Sequence, residues 1–160
     1  MIKDDVQASI KEAMKSGNKD RLGTLRMLLS AIKDHEINNR VTATDSDILG
    51  IFRKSIKTRR DSIESFKSGG LEYLVAKESA EIDVIESFMP PAIDESEIAA
   101  AVDAVLAETQ ARLQGALTMK EMGAVMKGTM AKLAARGGAD GGTVNRIVKE
   151  RLSALMQGKN

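Results

Sequence analysis

The stretch RGGADGGTVNRIVKERL, residues 136–152, packs four glycines into six positions ahead of a run with helical periodicity. Two readings of it lead to different folds. A loop that cradles phosphate would follow a strand in an α/β chain, whereas a hinge would join two helices. The order Gly-x-x-x-x-Gly-Lys-Ser/Thr is missing from GGADGGT, so there is no lysine to reach terminal phosphates, and no strand-like alternation precedes the loop. The dinucleotide-binding fingerprint fails on the same requirement for a strand. What remains is two caps placed back to back. Gly137 or Gly138 supplies the left-handed residue that stops one helix, and Arg136 suits that helix's negative end. Asp140 caps the next helix, leaving Gly141 and Gly142 in its first turn with unshielded amides. The opening beside Arg136 and Arg146 is then at most a contact point for a backbone phosphate, opposed by the charge of Asp140.

The flanking sequence is helical as well. Thr118-Met119-Lys120-Glu121 is a capping box that opens a sixth helix running to about Arg136, and the seventh runs from about Gly141 to Met156. Upstream, Ile2, Val6, Ile10 and Met14 recur every four residues in a first helix, Ile2 to Ser16. A second, about Asp20 to Ile37, carries Leu22, Leu25, Leu29 and Ile32 on one face. Gly23 weakens it by ~1 kcal/mol relative to alanine, which points to a close helix approach there. Thr44 with Asp47 opens a third helix, Asp47 to Lys67, that Ser68-Gly69-Gly70 stops, and a fourth spans Leu71 to Phe88. Met89-Pro90-Pro91 ends it, because the residue before a proline is pushed away from helix. Asp94 with Glu97 then opens the fifth. Seven helices without a convincing strand predict an all-α protein, with an N-terminal four-helix region, residues 1–91, followed by a C-terminal three-helix domain, residues 92–160.

Composition narrows the function classes. The 160 residues fit one domain or two small ones, and 42% apolar content is that of a globular chain. No run of about 18 apolar residues spans a membrane, and MIKDDVQASI carries acids where a signal peptide needs a basic and then an apolar stretch. A cytoplasmic protein with no membrane association is expected. The absence of cysteine removes disulfides, thiol nucleophiles and thiolate metal sites. With aromatics at 2%, base-stacking platforms are not expected. Asp45-Ser46-Asp47 begins like a calcium loop, but Leu49 and Ile56 occupy positions that need ligands. His35 is the only histidine and has no second histidine at helical spacing, which leaves no zinc-protease site. No catalytic residue, cofactor or metal is assigned. Met119, Met122, Met126 and Met130 recur at spacings of three and four, as core residues of a domain without aromatics or as an adaptable groove for a partner helix.

Charge is distributed unevenly. Residues 1–111 hold 15 Lys/Arg against 20 Asp/Glu, and residues 112–160 hold 9 against 3. In RKSIKTRR, Arg53, Lys57 and Arg60 share a helical face that could touch phosphate, but Asp61 and Glu64 follow closely on the same helix, and a salt-bridged exposed face is the expectation. The C-terminal cations form the other group. Lys120 and Lys127 lie two turns apart on one edge of the sixth helix, Lys132 and Arg136 one turn apart on the other, and Arg146 and Lys149 on the outer face of the seventh. Dispersed cations of this kind suit backbone-phosphate recognition, in which each contact is electrostatic and releases counterions.

LRMLLSAIKDHEI (25–37), ESFMPPAIDESEI (86–98) and above all KEMGAVMKGTMAKLAARGGADGGTVNRIVKERL (120–152) resemble the YqeY family, which is similar to the C-terminal tail of the GatB subunit of tRNA-dependent amidotransferases. Gly123, Lys127, Gly128, Arg136, Asp140, Gly141, Val144, Asn145 and Val148-Lys149-Glu150 fit the family pattern. Met89-Pro90 stands where Leu-Pro is usual, and glycines around Ala139 lengthen the loop. The resemblance implies a stand-alone, tail-like module that binds tRNA or structured RNA through its basic C-terminal domain, accessory to tRNA-dependent amidation. Implied partners also include amidotransferase subunits or an aminoacyl-tRNA synthetase. In the family, phosphorylation and amide transfer belong to other domains and another subunit, so the label of carbon–nitrogen ligase with glutamine as amido-N-donor follows the family name and not a constellation in these residues. A protein-binding helical adaptor, or a component of that carbon–nitrogen ligase activity, is the alternative.

Overall fold

The computed structural model describes residues 1–158, which form α1 (Ile2–Ser16), α2 (Lys19–Asn39), α3 (Asp45–Ser68), α4 (Glu72–Glu86), α5 (Glu95–Arg112), a 3-10 turn at Met119–Glu121, α6 (Met122–Ala134) and α7 (Gly141–Gln157). The protein is all-α, and no strand occurs among the described residues. Two compact units divide the chain, Met1–Pro90 and the part from Pro91 onward.

In the first unit α1 packs on α2 and α3 on α4. Its core gathers Val6, Leu25, Leu28, Ile32, Ile48, Phe52 and Ile85, the inward positions of four amphipathic helices. Phe52 meets Phe88 edge to face with ring centroids 6.4 Å apart. Left-handed residues close the first two helices, Gly17 at φ 70° and Arg40 at φ 54°. The Thr44–Asp47 capping box is present in both directions.

Two expectations fail in this unit. A Cβ built on Gly23 would meet nothing within 4 Å, so no helix approaches there. On the basic face of α3, Arg60 takes its acid from α4 and not from Asp61 or Glu64, and the neighbouring Arg59 does the same. Arg59 reaches Glu81 at 3.0 Å and Glu78 at 3.9 Å, and Arg60 reaches Glu86 at 3.2 Å. Packing α3 against α4 puts a facing row of carboxylates nearer these guanidiniums than Asp61 or Glu64, and Arg59 becomes largely buried between them.

The second unit is built from α5, α6 and α7 around Val102, Val105, Val125, Leu133, Val144, Val148 and Leu152. Met122, Met126 and Met130 pack against this core, so most of the methionine stripe is interior lining and not a free groove; Met119 is exposed. The close helix approach in this chain is at Gly128, where a Cβ would stand 2.9 Å from Val105 Cγ1. The glycine loop is a hinge. Gly137 and Gly138 take φ of 92° and 75°, and the Gly138 amide donates to Leu133 O at 2.8 Å while that of Gly137 donates to Ala134 O at 3.0 Å. Ala139 is buried, and Asp140 Oδ2 accepts from the Thr143 amide at 2.8 Å to begin α7.

Candidate functional site

The six cations read from the sequence all lie in the second unit, but they divide into two sets. Lys120 is not on α6. The Thr118–Glu121 box closes a 3-10 turn first, with Glu121 Oε2 accepting from the Thr118 amide at 2.7 Å and Thr118 Oγ1 from the Lys120 amide at 3.2 Å. The tighter turn removes Lys120 from the two-turn register with Lys127. The Thr118 amide and then its hydroxyl hold the Glu121 carboxyl below its ordinary value, so it stays ionised as a cap.

Lys132, Arg136 and Arg146 are each engaged by an acid of α5. Lys132 Nζ lies 2.7 Å from Glu108, Arg136 pairs with Glu97, and Arg146 reaches Glu95 at 2.6 Å and Glu150 at 3.2 Å. Arg151, which the sequence did not single out, joins Asp103 at 3.0 Å. Helix α5 is therefore edged by two rows of ion pairs. Glu97 and Glu108 face the cations of α6 and the residues just after it, and Glu95 and Asp103 face those of α7. Bonding to Glu95, then to Glu150, raises the Arg146 pKa further above its ordinary value. The Lys132 bond, then its charge, lowers the Glu108 carboxyl. For Asp94 the Ser96 hydroxyl is the largest lowering influence, followed by the Glu97 amide, with Arg136 adding its charge.

These pairs change the meaning of the charge asymmetry. From residue 91 to 160 the chain holds nine Lys/Arg against eight Asp/Glu, and residues 1–90 hold 15 of each. A division after residue 111 separates the acids of α5 from the bases they meet in space. Neither unit carries a large net charge. What is left is local: among the described residues Lys120, Lys127 and Lys149 are exposed and make no ion pair within 4 Å, and neither does Arg112, whose guanidinium donates to the Glu108 carbonyl oxygen at 3.3 Å. Lys127 stands two residues from both Val125 and Thr129, whose burial fixes the inward side of α6, so it faces away from the core.

A second feature of this unit escaped sequence reading. An apolar cavity of about 440 Å³ opens among Leu106, Ala107, Leu117, Ala154 and Leu155, with the Asp103–Arg151 pair on its wall. Leu155, which lines the cavity, remains 43% exposed. Periodicity cannot reveal such a cavity because its walls come from three separate segments.

Among the described residues no three His, Asp or Glu side chains gather at metal-ligating range, and no helix is long and apolar enough to cross a membrane. The arrangement offers anion contacts through lysine and arginine, and an apolar recess.

A family model for Yqey-like protein matches residues 3–152. Curated relatives named altered inheritance of mitochondria protein 41, mitochondrial, are similar to the chain. The protein of Pyrenophora tritici-repentis is 37% identical over 95 residues, 58% of this chain and 52% of its own length. That of Eremothecium gossypii is 34% identical over 120 residues, 73% of this chain and 65% of its own. In Saccharomyces cerevisiae identity is 33% over 85 residues, 52% of this chain and 46% of the relative. The chain thus spans about half to two thirds of the length of these relatives.

Proposed function

The chain belongs to the family of Yqey-like proteins, and from that membership we propose that its C-terminal unit binds tRNA or similarly structured RNA by backbone phosphates, as an accessory to tRNA-dependent amidation. The observation that carries the reading is the set Lys120, Lys127 and Lys149, exposed and without an ion pair among the described residues, in a unit where Lys132, Arg136, Arg146 and Arg151 are already paired. Phosphate binding is mostly electrostatic and requires cations that the fold does not consume. Lys132, Arg136 and Arg146 contribute by exchanging a carboxylate for a phosphate, which exposed ion pairs permit at small cost. Recognition is of backbone shape, and no residue is assigned a catalytic role.

Filter binding against total tRNA tests this. Wild type binds at about 50 mM salt and weakens steeply by about 200 mM, and reversal of Lys120, Lys127 and Lys149 to glutamate abolishes binding. No affinity at the lower salt, or affinity unaffected by the triple reversal, refutes it. We place the protein's action in the cytoplasm, although the fungal relatives carry a mitochondrial designation; recovery of a tagged chain in an organelle fraction would overturn that. The cavity beside Leu155 favours a second reading, a helical adaptor that receives apolar side chains of a protein partner. Partner capture that survives nuclease treatment but is lost in Leu155→Asp distinguishes it from RNA binding.

A further inference from the structure

We propose that Glu95 and Glu97 determine the specificity of this surface, holding Arg146 and Arg136 on the fold until an anion with several closely spaced charges displaces them. The inference rests on the phosphate-binding reading above. Two glutamates in the first turn of α5 each take a guanidinium from a different part of the chain, 39 and 51 residues away. Carboxylate and phosphate oxygens are equivalent acceptors for the guanidinium fork, so each glutamate stands where a phosphate would bind. The position strengthens the carboxylates, because the α5 N-terminus favours negative charge and Asp94 caps it.

Local charge sets the threshold. Asp94, Glu95 and Glu97, with Glu150 as a second partner of Arg146, outnumber the two arginines. A single phosphate approaching them meets net repulsion. A polyanion already held by Lys120, Lys127 and Lys149 presents its next phosphates at high local concentration, and can take the arginines from their glutamates. The exchange is feasible because the Arg136 and Arg146 side chains are 62% and 47% exposed and the core of the unit closes without them.

The test is the double variant Glu95→Gln/Glu97→Gln, compared with wild type and with Glu64→Gln/Glu72→Gln, which removes the same charge from exposed positions of the first unit. Titration with total tRNA over a salt series reads affinity and salt slope; inorganic phosphate serves as the probe that carries a single phosphate group. The α5 variant is expected to bind tRNA roughly 3- to 30-fold tighter, with a steeper salt dependence, and to gain phosphate binding that wild type lacks. A folding defect lowers affinity and cannot imitate that gain. Wild-type binding with no gain in the α5 variant, or an equal gain in the first-unit control, overturns the inference and leaves RNA binding standing. Failure of wild type and both variants to bind tRNA at low salt overturns the RNA reading together with it.

Discussion

Substituting Gly128 by alanine tests the helix packing of the second unit. The added Cβ would lie 2.9 Å from Val105 Cγ1 and 3.6 Å from Cγ2, against an ordinary carbon–carbon contact of about 3.5–4.0 Å. Val105 is buried and β-branched, with one strongly preferred rotamer in a helix, so it cannot swing aside. The helices must separate instead, at a cost of about 1–3 kcal/mol. Alanine returns ~1 kcal/mol of helix propensity. The net expectation is a loss of roughly 0–2 kcal/mol. Gly23→Ala supplies the contrast, because a Cβ there meets nothing and the propensity gain of up to ~1 kcal/mol stands alone. Urea unfolding followed by circular dichroism separates the two, and Val105→Ala added to Gly128→Ala relieves the overlap, so the pair couples favourably in a double-mutant cycle. If Gly128→Ala stabilises as much as Gly23→Ala, the close approach of α5 and α6 is refuted.

The other consequences are more local. Thr129 is fully buried and its hydroxyl has no partner, so Thr129→Val is expected to stabilise by about 1 kcal/mol in chemical unfolding; a clear loss would show that the hydroxyl is bonded. Arg59→Met leaves Glu78 and Glu81 facing each other in a half-buried seam, and a destabilisation of about 1–3 kcal/mol is expected, with none measurable if the seam is effectively solvated. The Lys3 ammonium, and then the Ala43 amide, hold the Glu36 carboxyl below its ordinary value of 4.5. Its stabilising contribution is therefore complete above pH 4.5 and is lost as pH falls through the lowered folded value. Acid unfolding of Glu36→Gln should lack that component; an unchanged profile counts against the linkage.

Helices and their ends were legible because their causes lie within four residues. Thr44 with Asp47, Asp94 with Glu97, and Asp140 before Thr143 each satisfy backbone amides that any helix start leaves open. The two left-handed glycines answer the same need at the end of α6. Lys120 marks the limit of local reading: its capping box was correct, yet the turn it closes is 3-10 and moves the lysine off the expected row.

The all-α chain, its capped ends, the hinge at RGGADGG and the family to which these residues belong were readable from the residues alone, because all of them rest on local geometry or on residue order. That Gly128 and not Gly23 receives a neighbouring helix, and which cations remain available to a ligand, follow from how the helices pack. Arg136 and Arg146 read as basic in the sequence, but their carboxylate partners lie 39 and 51 residues away. A Coulomb interaction depends on distance in space, and folding α5 against α6 and α7 brings together charges that a linear count keeps apart.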